Sequence, residues 1–232
     1  MWNDALDLHQ LAGLLGRDVR ELSKLANRGH LPGRKVGGEW RFASAEILRW
    51  IETSLPQLSD RELRGLDSAC PEAGYTPFLL ALLPLECIDL DLPARTRHSV
   101  LRELVDLGAK SHRIWDPAAI LEAVEVREDA HTTARPEGYA IPHPRRRLPN
   151  TLGESVIAFG RTSTGITFGA ECGALTDLFF LVCCHEDGMH LRVLARLARI
   201  LRHPGLLDEL REAQTRQDAW DLLVAAEAAI LG

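Results

Sequence analysis

His143 is the residue around which the chemistry of this chain can be built. It stands in Gly138-Tyr139-Ala140-Ile141-Pro142-His143-Pro144-Arg145, a histidine between two prolines, and Arg145 continues into Arg146 and Arg147. Proline fixes its own φ and restricts the residue before it, so the imidazole is presented on stiff backbone. A rigid imidazole beside clustered guanidinium groups suits an anionic, phosphorylated partner. Phosphoryl transfer through histidine needs a neutral, accessible acceptor nitrogen and a second polar group to hold the ring or the incoming oxygens. It also needs cationic or N–H donors for the charge spread over those oxygens. His190 opens a predicted helix just after Asp187-Gly188, where free N–H groups and the helix dipole favour an anion. Arg127 ends the predicted helix that precedes the histidine loop. No metal or other cofactor is needed if these donors suffice. Cys183-Cys184-His185 is not expected to hold a metal, because adjacent side chains on a strand point to opposite faces and CxxC spacing is absent. His131 and His185 lie near these motifs and are assigned no role.

The elements that must position these residues fall in residues 77–232. Ser99–Leu107 and Pro117–Arg127 read as helices, as do Met189–Arg202, Gly205–Gln214 and Asp218–Leu231. Ser155–Arg161 and Asp177–Cys184 read as buried strands. Alternating helices and apolar strands predict an α/β layer structure.

A second unit precedes it, over residues 1–52. Leu6, Leu8, Leu11, Leu14 and Leu15 mark a short amphipathic helix ending at Gly16. Val19, Leu22, Leu25 and Ala26 mark a second, with Asp18 as N-cap and Gly29 as stop. Gly37-Gly38 reads as a hairpin turn, and a third helix runs from Ser44, its expected N-cap, through Ile51. Helix, tight turn, helix and basic hairpin outline a mostly helical winged helix-turn-helix. Arg20, Lys24 and Arg28 lie on the outer face of the second helix, and Arg34, Lys35 and Arg41 on the wing. Cations at these places suit base edges in the major groove and flanking phosphates. Trp40, Phe42 and Trp50 read as core. Residues 53–76 are polar and rich in Pro and Gly and read as a linker, with room for a short helix near Ser59–Leu66.

Charge follows the same division. The chain of 232 residues carries a net charge of −6. Arg17–Arg41 contains seven basic and three acidic residues, or +4, which leaves −10 for the remainder. A DNA-reading module joined to an acidic domain has this asymmetry. No apolar run approaches the roughly 18 residues of a membrane span. The N-terminus lacks a secretory signal pattern, and the five cysteines show no disulfide spacing. A cytoplasmic protein with reduced thiols is expected.

Two resemblances sharpen this reading. Over Leu8–Ile51 the chain resembles the excisionase-like branch of the MerR-type winged-helix superfamily. The likeness lies in the leucine-rich first helix, Arg28-Gly29-His30-Leu31-Pro32-Gly33, the glycine turn, Trp40-Arg41-Phe42 and Trp50. It implies binding of double-stranded DNA with the second helix as reader.

Over roughly Phe78–Leu231 the chain resembles the enzyme IIA domains of the fructose/mannitol and nitrogen-regulatory class of the bacterial phosphotransferase system. The matching strings are Arg127-Glu128, Ala140-Ile141-Pro142-His143, Gly165-Ile166-Thr167-Phe168, the strand Leu178–Cys183, and His190-Leu191 followed by Leu194 and Leu197. The resemblance implies a mixed β-sheet with helices on both faces. It implies that His143 accepts a phosphoryl group from the phosphocarrier protein HPr or its nitrogen-branch counterpart. His190 would then be the supporting second histidine, and Arg127 would stabilise the phosphorylated state. Pro144 stands where the family usually has a small residue.

Three functions remain open at this point. The chain is a DNA-binding regulator, a phosphocarrier serving a separate IIB protein, or a non-enzymatic regulator that binds HPr. The first expects a homodimer, because so small a DNA-reading unit usually works in pairs.

Overall fold

The computed structural model describes residues 5–68, 79–145, 148 and 150–231. In chain order the first elements are β1 (Ala5–Leu6), α1 (Leu8–Leu15), α2 (Val19–Asn27), β2 (Arg34–Val36), β3 (Glu39–Ala43), α3 (Ser44–Ser54) and α4 (Asp60–Ser68). There follow α5 (Leu79–Leu82), β4 (Ile88–Asp89), α6 (Arg97–Ala109), α7 (Pro117–Ala130), β5 (Tyr139–Ala140), β6 (Val156–Ile166) and β7 (Thr176–Cys183). The last are α8 (Asp187–Ile200), α9 (Leu206–Glu212) and α10 (Arg216–Leu231). They form two compact units, one drawn from Met1–Thr76 and Asp187–Arg202, the other from Pro77–Glu186 and His203–Gly232.

In the first unit local chemistry sets each boundary. Asp7 and Gln10 close a capping box on α1, and Gly16 ends that helix in the left-handed conformation. The Asp18 carboxylate accepts from the N–H groups of Arg20 and Glu21 and caps α2. Gly37 and Gly38 both have positive φ, as a two-residue type I′ hairpin requires, and they join β2 to β3. β1 adds to the other edge of β3, giving a three-stranded order β1-β3-β2. Ser44 is not the N-cap of α3. Ala43 holds that place with extended φ/ψ and no side-chain bond, and Ser44 is the first helical residue. Phe42 is fully buried, whereas Trp40 and Trp50 are only half-buried. A Cβ on Gly33 would lie 2.5 Å from the Phe42 ring, so only glycine lets the wing pass that ring.

Residues 55–68 fold into a 3₁₀ turn and α4, and residues 69–76 of the expected linker lie outside the described residues. α4 packs on α1 and on α8. The contact with α8 includes a buried ion cluster. Asp67 is buried on α4 and accepts from Arg196 Nε at 2.6 Å and from Arg199 at 2.9 Å, while Arg192 Nε stands 3.5 Å away. These arginines fall on one face of α8 at helical spacing and are themselves buried. Arg202 adds hydrogen bonds to the Leu55 and Leu58 carbonyls.

The second unit is built on a mixed four-stranded sheet of order β4-β6-β7-β5. β4 runs parallel to β6, β6 antiparallel to β7, and β5 parallel to β7. The first half of β6 (residues 156–160) and residues 178–183 of β7 are apolar runs buried on both faces. Ala158, Phe179 and Leu181 join a core with Leu101 and Leu104 of α6 and Val124 of α7. On alternate positions Phe159 and Phe180 stack at 4.6 Å. Arg161 closes the C-terminal end of α9, donating to the carbonyls of Leu210, Arg211 and Ala213.

Asp67→Ala removes the anion that these buried guanidinium groups share. It is expected to cost about 3–5 kcal/mol. The measurement is the urea midpoint followed by Trp40 and Trp50 fluorescence. An unchanged midpoint would show that the arginines find another anion.

Candidate functional site

The His143 loop is anchored on both sides. Tyr139 and Ala140 pair with Leu178 and Phe179 across β5 and β7. One step further on, Val182 N–H donates to the Pro142 carbonyl at 3.0 Å. Pro142, His143 and Pro144 are all buried, and His143 is 3% exposed. An open acceptor nitrogen is the expectation for phosphoryl transfer, and the structure instead holds the ring rigid and covered. His143 Nδ1 lies 2.7 Å from the Ile141 carbonyl oxygen. A carbonyl can only accept, so Nδ1 carries the hydrogen and a neutral ring keeps its lone pair on Nε2. That is the state a phosphoryl acceptor needs.

Arg127 is buried on the last turn of α7 and donates to the His131 carbonyl at 2.7 Å, which ties the helix end to the following loop. Its neighbour Glu128 does more, although in the sequence it has no role beyond a place in the matching string. The buried Glu128 carboxylate accepts from Thr133 N–H at 2.7 Å, Thr133 hydroxyl at 2.8 Å and Thr132 hydroxyl at 2.9 Å. The Phe168 carbonyl lies 3.3 Å from the same Thr132 hydroxyl, and Arg135 N–H donates to the Tyr139 carbonyl. A chain of hydrogen bonds thus runs from α7 to the strand that launches the His143 loop. A glutamate followed by threonines four and five residues later was the available signal. His185 donates its backbone N–H to Ser155. Arg145 is exposed, and Arg146 and Arg147 lie outside the described residues.

His143 and Arg127 belong to the second unit, whereas His190 is on α8 in the first. His190 is buried, and its Nε2 lies 3.3 Å from Glu52 Oε1 on α3. Burial pushes the Cys183 thiol up to about 12 and raises Cys184 as well, and these thiols carry no negative charge near neutral pH.

The predicted DNA-reading residues share the first unit. Arg20 and Lys24 are exposed on α2, Arg28 at its C-cap, and Arg34 and Lys35 on β2. Arg41 is half-buried and pairs with Glu39 at 2.9 Å. Lys35 lies 5.2 Å from the Trp40 ring centre. The acidic residues of α2 are engaged locally. Asp18 caps the helix, and Glu21 faces Arg17 at 3.5 Å. Arg17 also pairs with Glu62 of α4. These contacts leave the cationic face of α2 outward.

Two family models match separate stretches of the chain. Residues 81–226 match the family described as "Phosphoenolpyruvate-dependent sugar phosphotransferase system, EIIA 2". Residues 5–54 match a helix-turn-helix domain. The fructose-specific EIIA component of the phosphotransferase system from Haloferax volcanii is 32% identical over 144 residues, covering 61% of this chain and 92% of that protein. A nitrogen regulatory protein of Bradyrhizobium diazoefficiens is 33% identical over 141 residues, covering 59% of this chain and 90% of its own. The crystal structure of nitrogen regulatory protein IIA-Ntr from Neisseria meningitidis superposes with a TM-score of 0.57 at 24% identity. It covers 63% of this chain and 99% of that one. This last likeness shows the fold. Among the described residues no helix is long and apolar enough to cross a membrane.

Two outcomes follow from this geometry. Replacing Arg20, Lys24 and Arg28 together by alanine is expected to weaken binding to duplex DNA. The slope of log K against log salt should fall by about 0.9 for each phosphate no longer neutralised, as titrations at several salt concentrations would read. For Cys183 the unfolded chain loses its proton near the ordinary 9.0 and the folded chain only at about 12. The unfolded state therefore binds fewer protons in that window, and stability falls as pH rises through it. Cys183→Ala should flatten that fall in urea midpoints.

Proposed function

The chain belongs to the phosphoenolpyruvate-dependent sugar phosphotransferase system EIIA 2 family, and we propose on that premise that it is a cytoplasmic DNA-binding regulator phosphorylated on His143. The phosphoryl donor is HPr or its nitrogen-branch counterpart. The observation that carries this reading is the Nδ1 contact with the Ile141 carbonyl at 2.7 Å, which reserves Nε2 for the phosphorus. The Nε2 lone pair attacks the donor's phosphohistidine. The donor N–P bond breaks with its electron pair returning to the donor nitrogen, and a new N–P bond forms at Nε2. The hydrogen stays on Nδ1, donated to the Ile141 carbonyl, so the product ring carries a positive charge beside the phosphoryl group. Arg127 and His190 supply the cationic and N–H groups that stabilise the phosphorylated state. His143 is 3% exposed, so transfer includes a step that opens the ring to the donor.

Phosphorylation adds about −1.5 to −2 charges at neutral pH. In this reading that charge alters how the helix-turn-helix unit engages DNA through Arg20, Lys24, Arg28 and the wing cations, as a homodimer on a two-fold site. A phosphocarrier reading, with phosphate passed to a IIB protein, draws on the likeness to the Haloferax fructose component. It would show as loss of the label to a IIB acceptor with DNA binding unaffected.

The test is phosphotransfer in a mixture of phosphoenolpyruvate, enzyme I and HPr. Wild type is expected to gain one acid-labile phosphoryl group, His190→Ala to gain it slowly, and His143→Ala not at all. Wild type that stays unmodified beside an acceptor proven to receive phosphate would refute the reading. DNA titrations of the two states then separate regulator from carrier.

A further inference from the structure

We propose that Glu52 is a brake on phosphoryl transfer, a carboxylate of the helix-turn-helix unit that occupies His190 while the protein is unphosphorylated. The proposal rests on the reading of His143 as phosphoryl acceptor with His190 in support. Its own evidence lies within the first unit.

Glu52 sits near the end of α3, one residue after the fully buried Ile51. Its side chain is 3% exposed and that of His190 11%. Glutamate is rarely buried unless it is paired, so this position is not a solvated helix face. Glu52 Oε1 and His190 Nε2 are 3.3 Å apart. An ionised carboxylate has no hydrogen to give, so Nε2 holds the hydrogen and donates it. The family resemblance asks the same imidazole to donate to a phosphoryl oxygen. If that donation comes from Nε2, Glu52 and the phosphoryl group compete for one N–H, and two anions facing one donor repel each other.

The contact is also built to break without unfolding its surroundings. At 3.3 Å it is at the long end for an N–H to oxygen bond, and a phosphoryl oxygen can replace the carboxylate as acceptor. α8 is held independently by the Asp67 ion cluster on α4, and α3 by Trp50 Nε1 donating to the His30 carbonyl at 2.9 Å. α3 follows directly on wing strand β3, with Ala43 and Ser44 adjacent. Release of Glu52 is therefore delivered to the element that carries the wing. By linkage, whatever pulls Glu52 from His190 favours phosphorylation, and phosphorylation favours its release.

The experiment uses the full chain in the phosphoenolpyruvate, enzyme I and HPr mixture. It compares wild type, Glu52→Gln and Glu52→Asp by time-resolved mass. Glu52→Gln keeps the shape and removes the charge. It is expected to be phosphorylated faster, on the order of tenfold, the scale of a typical coupling between sites. Glu52→Asp withdraws the carboxylate by one methylene and should fall between the two. A loosened structure could also expose His143, so acceleration with an unchanged urea midpoint is what separates a brake from a packing role. A second measurement needs no variant. Amide exchange of α3 in wild type should rise on phosphorylation. Wild type and Glu52→Gln labelled at the same rate, or α3 exchange unchanged by phosphorylation, would overturn the brake alone. Neither protein labelled by a donor active on another acceptor would remove the phosphoryl-transfer reading, and the brake with it.

Discussion

The first unit depends on one buried anion. Asp67 faces three arginines of α8 in a place with almost no water, and two of them donate to it within 3 Å. Bringing charges out of water costs several kcal/mol per ion, and the cost is offset only where the geometry supplies partners at once. Three arginines spaced around one face of α8 cannot each find water there, so α8 is held to whichever element offers the carboxylate. That element is α4, and α8 is thereby counted with the helix-turn-helix unit rather than with the sheet. The family match nevertheless spans α8, since it runs over residues 81–226. A helix of the IIA-like segment thus groups with the other unit.

The second unit solves a different problem with hydrogen bonds that are mostly local to one helix end and one loop. A phosphoryl acceptor must present one nitrogen of the imidazole and fix the other. The strand that precedes the loop is anchored to β7, prolines stiffen the loop, and the Ile141 carbonyl accepts the Nδ1 hydrogen bond. Glu128 collects three donors from the turn after α7, so the chain reaches β5 along a fixed path. The same helix end gives Arg127 its carbonyl partner at His131. Preorganisation here comes from main-chain and threonine donors, which are held in place before any ligand arrives.

Much of this was legible in the residues. Asp18 is a cap because its carboxylate reaches N–H groups two and three residues on, and nothing distant is needed. Gly37-Gly38 sets a type I′ turn because both glycines accept positive φ. The apolar runs of β6 and β7 announce strands buried on both faces. The matching strings around His143 point to the same family that residues 81–226 match. The N-cap of α3 shifted by one residue, because Ala43 ends strand β3 and the chain turns there whatever its side chain can offer.

What the sequence determined by itself is therefore short-ranged: caps, turns, periodicities, and the stiff loop that singles out His143. What the tertiary structure alone decided is which buried charges meet. Asp67 sits in a polar stretch that reads as linker, and Glu52 just past the expected end of the third helix at Ile51. Their partners lie more than a hundred residues away, at Arg196, Arg199 and His190. Periodicity reports on neighbours within a turn or two of one element. The pairing of a buried carboxylate is set by which distant element is brought against it, and no local pattern in the chain records that.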